Sequence, residues 1–406
     1  MVLLNIIFIS AELPYPANSG GRIYTWERLK QLKRNNNSIC LYTLVENNEF
    51  VDFDKLNLVC ESVNVYNRKK SYIKALLNIR KPYPVVSRFV REMYFDIKRR
   101  IENYNIDLII IDIPEMLINC PYDNTVNKVV TQHNIEYKLF KDISKNSRNI
   151  FKKIIYFFEY IKMKKFEKFF YKNNIIQGCT FISSKELQEF RVMFPKIKSA
   201  CIPQGYNLDS NIYTESFIKN DRKNNMIFTG KMDYEPNVQA VKWFCKDILP
   251  IIEKRIHNIK FYIVGKNPTK EVKNLQQDNN VIVTGKVRDM KNYFDKTNLC
   301  VIPLLSGGGV KIKLFEALGN GKIVVATSKG VEGTIFMNNE HLMVRDHSDE
   351  FAQACIDALN TPENYNDMVN SALSIIENNY NWNTIGKCYN DFLKNLNNNR
   401  SSVKVI

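Results

Sequence analysis

"LCVIPLLSGGGVKIKLFEALGNGKIVVAT" (residues 299–327) contains, in order, an apolar run, a glycine triplet, an amphipathic stretch and a second apolar run. The runs LCVIPL (299–304) and KIVVAT (322–327) are short and rich in Val and Ile, as strands covered on both faces are. The stretch between them has helical spacing, so the whole reads as strand, loop, helix, strand, the repeating unit of a parallel sheet. Gly307, Gly308 and Gly309 stand at the strand end, directly before the helix that carries Lys311, Lys313 and Glu316. Glycine lets the backbone come close to a ligand. Amides at a helix start, with lysines nearby, suit an anion and above all a phosphate. Glu316 shares a face with Lys313 and is placed to accept two hydroxyls of a ribose. The plainer reading is a flexible loop followed by a surface Lys–Glu pair, which contributes only about 0.2–0.5 kcal/mol. No G-K-[ST] ends the glycine run, so it is not a P-loop.

The same alternation extends in both directions. Upstream of this unit lie MIFTG (226–230), a helix near 237–247, IKFYIVG (259–265) and VIVTG (281–285). Earlier still come LLNIIFIS (3–10), the helical RIYTWERLKQLKRN, SICLYTLV (38–45), DLIIIDI (107–113), KVVTQHN (128–134) and GCTFISS (178–184). Two α/β units follow one another, which is the doubly wound pattern. The intervening NLDSNIYTESFIKNDRKNN is polar and without helical period. The expected division is therefore 1–206, a linker at 207–225, 226–375, and a helical tail at 376–406 that belongs to neither sheet by pattern. A chain of 406 residues fits two domains. Ligands of such sheets bind beyond the carboxyl ends of the strands. Two facing sheets would hold a nucleotide-sugar or dinucleotide in an interdomain cleft.

Bulk composition narrows the class. Hydrophobic content of 45% and charged content of 25% describe a globular chain. The formal charge of +16 fits anionic substrates, an anionic membrane surface, nucleic acid, or the general Lys/Asn/Ile bias of the chain. The nine cysteines are scattered without a C-x-x-C pair, and only four histidines exist to help them, so no metal is expected. Dispersed thiols in a large chain point to a cytosolic protein. The N-terminal apolar run has no basic n-region and meets Glu12 quickly, so it reads as a strand rather than a signal peptide. No run reaches the roughly 18 apolar residues needed to span a bilayer.

Three further stretches bear on ligands. Gly20 and Gly21 precede the first helix and offer amides to a phosphate, the plainer reading being an ordinary turn and a helix N-terminus. His133 sits at a strand end, where it is either a hydrogen-bonded core residue or a ligand contact, and Glu136 is placed to orient it or a substrate hydroxyl. Lys231, directly after Gly230, is either a diphosphate contact or one solvated lysine among many. The basic, aromatic segment 149–174, NIFKKIIYFFEYIKMKKFEKFFYKNN, reads as a helix packing on the sheet, as a surface for an anionic membrane, or as both. No recognised nucleic-acid module surrounds it.

Four ordered stretches carry a resemblance over nearly the whole length. ELPYPANSGGR (12–22), HNIE (133–136), GKMDYEPNVQAVKWFCKDILP (230–250) and PLLSGGGVKIKLFEALGNGKIVVATSKGVEG (303–333) resemble those of a family 4 retaining glycosyltransferase of the bacterial group 1 branch. The resemblance implies the GT-B fold: two Rossmann-like doubly wound domains facing a cleft, with the last helix crossing back to the first. It implies metal-independent transfer of a sugar from a nucleotide diphosphate donor to a glycan or lipid-linked acceptor, with retention of configuration. Such a transfer suits capsule-type polysaccharide synthesis on the cytoplasmic side of the membrane and needs no cofactor. By the resemblance, Glu316 holds the donor ribose, Lys313 and Lys231 meet the diphosphate, and His133 contacts the sugar near its anomeric carbon. Gly20, Gly21, Gly230, Gly307, Gly308, Gly309, Val310 and Lys311 belong to the donor site, and Val287 sits at the base. Arg22 and Glu136 fall on the acceptor side. The chain departs from many relatives in one of a pair of glutamates, whose earlier position is Gly308 here, and in keeping only one counterpart, Lys231, of the usual Arg and Lys after the 226 strand, with Lys311 placed to compensate. The rival readings are a GT-B epimerase and a non-catalytic scaffold or nucleic-acid-binding protein.

Overall fold

The computed structural model describes residues 3–68, 78, 80–122, 125–133, 135–146, 150–208 and 224–401. Most of the expected linker 207–225 lies outside these. The chain divides into two units: Met1–Pro203 with Trp382–Ile406, and Gln204–Asn381.

Unit 1 is built on seven parallel strands: β1 (Asn5–Ser10), β2 (Ser38–Val45), β3 (Ser62–Asn67), β4 (Leu108–Ile111), β5 (Asn127–Gln132), β6 (Gly178–Phe181) and β7 (Lys198–Cys201). Their order is β3-β2-β1-β4-β5-β6-β7. Apolar residues on both sides of the sheet put β1 and β4 at its centre, where Ile7 pairs with Ile109 and Phe8 with Ile110 in register. All four of these side chains are fully buried, and each contributes about 1.5–3 kcal/mol to the core. Between β1 and β4 the strand order reverses, so the loops beyond Ser10 and Ile111 diverge and leave a crevice.

Four helices matter for this unit: α1 (Gly20–Arg34), α2 (Glu136–Asn146), α3 (Ile150–Lys172) and, much later, the helix Trp382–Ser401. α1 begins at Gly20, so Gly20 and Gly21 lie within its first turn, where the sequence alone set them before it. Ser19 caps it, its hydroxyl accepting from the Arg22 amide at 3.5 Å. Trp382–Ser401 packs Trp382, Ile385, Tyr389, Leu393 and Leu396 into the core of unit 1. The helical tail expected from 376 is thus two elements. Residues Ile376–Tyr380 close the second unit as a widened helical turn, and the return to unit 1 begins at Trp382.

Unit 2 has six parallel strands: β8 (Asn225–Thr229), β9 (Lys260–Val264), β10 (Val281–Gly285), β11 (Leu299–Ile302), β12 (Ile323–Ala326) and β13 (Met343–Val344), in the order β10-β9-β8-β11-β12-β13. The reversal falls between β8 and β11, and the glycine triplet follows β11. Two helices flank this point, α4 (Glu235–Trp243) and α5 (Ile312–Gly319). Gly319 lets Tyr206 lie against α5: a Cβ there would stand 2.2 Å from the Tyr206 ring. All nine cysteines are free thiols.

Candidate functional site

In unit 2 the site forms where β8 and β11 diverge. Gly230 directly follows β8, and its φ of +151° belongs to the region that favours glycine. A Cβ at Gly230 would meet Asn237 Nδ2 at 2.7 Å and Lys313 Nζ at 3.0 Å, so the absence of a side chain is what brings these groups together. Asn237, in the first turn of α4, donates to the Lys231 carbonyl at 2.9 Å and accepts from Lys313 Nζ at 2.7 Å. The Lys313 ammonium also lies 3.7 Å from the Phe228 ring centroid. Burial pushes its pKa down to about 7, against the opposing pull of Cys300 and Glu316. A lysine so desolvated gains most when an anion arrives to offset its charge.

Glu316, one turn further along α5, is half-buried beside Lys313. Burial raises its carboxyl, while Lys313 and a 3.4 Å hydrogen bond from the Thr229 hydroxyl act the other way. The glycine run precedes α5 rather than opening it, since the helix starts at Ile312. Gly307 and Gly309 have φ of +107° and +67°. Lys311 folds back on this loop, donating to the Gly308 carbonyl at 2.9 Å and to those of Gly307 and Gly309. Lys311, expected in the donor site, therefore braces the loop carbonyls, and burial lowers its pKa to about 8. The first turn of α5 has no side-chain cap; the Leu314 amide donates to the Lys311 carbonyl at 3.0 Å, and the amides before it are left for water or an anion. Lys231 is half exposed, with Asp233 at 3.3 Å. Val310 and Val287 are partly buried against the core.

In unit 1 a polar pocket lies where β1 and β4 diverge, lined among others by Glu12, Gly21, Arg22, Asp112 and His133. Arg22 pairs with Glu12 at 3.3 Å and Glu49 at 2.5 Å. A Cβ on Gly21 would come within 3.0 Å of the Glu12 carboxylate. His133 follows β5, with Nε2 3.4 Å from Asp112 Oδ1 and its ring edge-on to Tyr24. Asp112 is held in turn by the Thr25 hydroxyl at 2.8 Å. Glu136, expected to orient His133, instead starts α2 among Glu115, Glu167 and Glu186, and burial raises its carboxyl well above the usual range. Glu167, fully buried, is raised to about 8.

The structure thus brings Gly230, Lys313 and Glu316 into one site and Gly21, Arg22 and His133 into another. Sequence reasoning missed Asn237 and Asp112. Both were visible as polar residues next to a strand end or helix start, but an amide and a carboxylate at such places are common in any α/β chain.

The family described as Glycosyl transferases group 1 matches residues 223–361. An uncharacterized 44.6 kDa protein in the cps region of Klebsiella pneumoniae is 26% identical over 391 residues, covering 93% of this chain and 97% of that one. Among solved structures, sucrose-phosphate synthase from Thermosynechococcus elongatus superposes with a TM-score of 0.65 at 14% identity, covering 97% of this chain and 99% of that one. Anabaena HepE in complex with UDP-glucose gives 0.62 at 13% identity, covering 96% and 99%. The expected GT-B fold and the group 1 resemblance are borne out.

Proposed function

Starting from a group 1 glycosyltransferase with the GT-B fold, we propose that it moves a sugar, with retention of configuration and without a metal, from a nucleotide diphosphate donor to a glycan or lipid-linked acceptor in cell-surface polysaccharide synthesis on the cytoplasmic side. The cps-region relative supports the pathway class, and the UDP-glucose complex of HepE supports the donor class.

One observation carries the reading: a half-buried lysine with a depressed pKa and a half-buried glutamate lie together beside a glycine loop at the switch point of unit 2. Breaking a sugar–phosphate bond builds negative charge on the departing diphosphate. Lys313, held in place by Asn237, and the uncapped amides of α5 are preorganised for that charge, which is usually the largest catalytic contribution. Glu316 is suited to the ribose hydroxyls. In unit 1, His133 and Gly21 are suited to the sugar and the distal phosphate, and Arg22 to the acceptor. Attack by the acceptor on the face the diphosphate leaves, with that phosphate taking the proton, needs no protein nucleophile.

Thermal unfolding with UDP, GDP, ADP and inorganic phosphate tests the reading, because a ligand of the native state raises Tm. One nucleoside diphosphate is expected to raise it, and Glu316→Ala to abolish the rise. No response to any nucleotide, with tight salt-sensitive DNA binding instead, would overturn it.

A further inference from the structure

We infer that the first half of α3 is a docking surface for an anionic lipid bilayer. The inference goes beyond the proposed sugar transfer and does not depend on it. α3 is pinned to α2 through its inner side: Ser144 donates to the Lys153 carbonyl at 3.0 Å, and the rings of Phe140 and Tyr156 stack at 5.9 Å. Its second half is anchored by Met163, Phe166 and Phe170 in the core. The first two turns are not covered in this way. Phe151 is 73% exposed and Phe158 59%, and Ile150, Ile154, Ile155 and Phe157 are exposed beside them.

The charges on the same helix say what the surface fits. α3 has two acidic residues, Glu159 and Glu167, and both point inward. Glu159 accepts from the Tyr83 amide at 2.6 Å and pairs with Lys162. Every exposed residue of α3 is therefore Ile, Phe or Lys, with Lys152, Lys153 and Lys165 among them. Aromatic and branched side chains flanked by lysines, with no outward carboxylate, suit the boundary between acyl chains and anionic headgroups. A second copy of the chain is the poorer partner, because a shared face would set the lysines of both copies against each other. Among the described residues no helix is long and apolar enough to cross a membrane, so the contact is one of lying on the surface.

Sedimentation of the full chain with vesicles tests this. Vesicles of equal parts phosphatidylcholine and phosphatidylglycerol are expected to carry the protein down, and vesicles of phosphatidylcholine alone to leave it in solution. Lys152→Gln with Lys153→Gln should weaken partitioning roughly thirtyfold, and raised salt should do likewise. Phe151→Ser with Phe158→Ser should weaken it at least as much. These side chains are exposed, so both variants should keep the wild-type Tm and its response to nucleotide, which separates this proposal from the one on sugar transfer. Unchanged partitioning in both variants would overturn it. So would a protein that ignores both vesicles, or one that dimerises in sedimentation velocity through Phe151 and Phe158.

Discussion

Lys313 Nζ donates to Asn237 Oδ1 at 2.7 Å while lying over the Phe228 ring, so a charge-bearing group is fixed in place by an amide and an aromatic face. No carboxylate makes that bond, and this leaves Lys313 available to an anion. Replacing it by Met should lower the transfer rate by roughly a hundredfold to a thousandfold, the range seen when a preorganised charge partner is lost. Asn237→Ala should lower it less, with the nucleotide-induced rise in Tm reporting the binding share. Wild-type kinetics in Lys313→Met would remove this lysine from the mechanism.

The depressed pKa of Lys313 gives a pH signature. At about 7 the ammonium is only partly protonated at neutral pH, and a bound diphosphate favours the charged form. Nucleotide binding should therefore take up a proton and weaken as pH rises above 7. In Lys313→Arg, where the charge persists, the slope should vanish. Calorimetry in two buffers of different ionisation enthalpy reads the proton directly.

His133 and Asp112 are 3.4 Å apart, and the Thr25 hydroxyl holds the other carboxylate oxygen. Asp112→Asn should keep the fold but change how the imidazole is oriented and which nitrogen carries its proton. The expected result is a kcat lower by roughly tenfold to a hundredfold with a smaller change in KM. Nitrogen chemical shifts of the His133 ring should move in the same variant, and unmoved shifts would sever the link between the two residues.

Gly230 and Gly265 meet at neighbouring strand ends, with φ of +151° and +156°. A Cβ on Gly265 would lie 1.7 Å from the Gly230 carbonyl oxygen. Gly265→Ala should therefore destabilise unit 2 by about 1–3 kcal/mol or more, seen as a lower urea midpoint. Gly285→Ala is the control: its φ of +69° also costs strain, but no atom stands within 4 Å of the added Cβ.

Glu167 sits among carboxylates with its pKa raised to about 8 from an ordinary 4.5. The folded state holds the proton that the unfolded chain releases between those values. Its contribution to stability is present below about 4.5 and is lost as pH rises through 8. Glu167→Gln should flatten the stability profile across that window and raise stability at its alkaline end, as urea midpoints at a series of pH values would show.

The sequence made the central strands readable because β1, β4, β8, β11 and β12 are buried on both faces and so appear as unbroken Ile/Val runs. β3 and β7 stand at the sheet edges, and their half-exposed SVNVYN and KSAC lack such a run. The glycine triplet and its lysines were legible as a strand-end loop leading into a helix. That Lys311 turns back on the loop was not, since two lysines separated by one residue look alike until the helix start is fixed at Ile312. Glu136 was legible as a polar residue near His133. Its neighbours Glu115, Glu167 and Glu186 come from distant parts of the chain, and no local pattern reveals them.

The helix Trp382–Ser401 completes unit 1 from the far side of unit 2 in sequence. The Arg28 guanidinium lies 4.3 Å from the ring centroids of both Tyr389 and Tyr24, and Leu396 fills the space that Gly178 leaves open. During synthesis, the first two hundred residues leave the ribosome without the side chains that seal them. Unit 2 has all of its strands before the earlier-made half can finish, so order of translation and order of maturation run opposite ways.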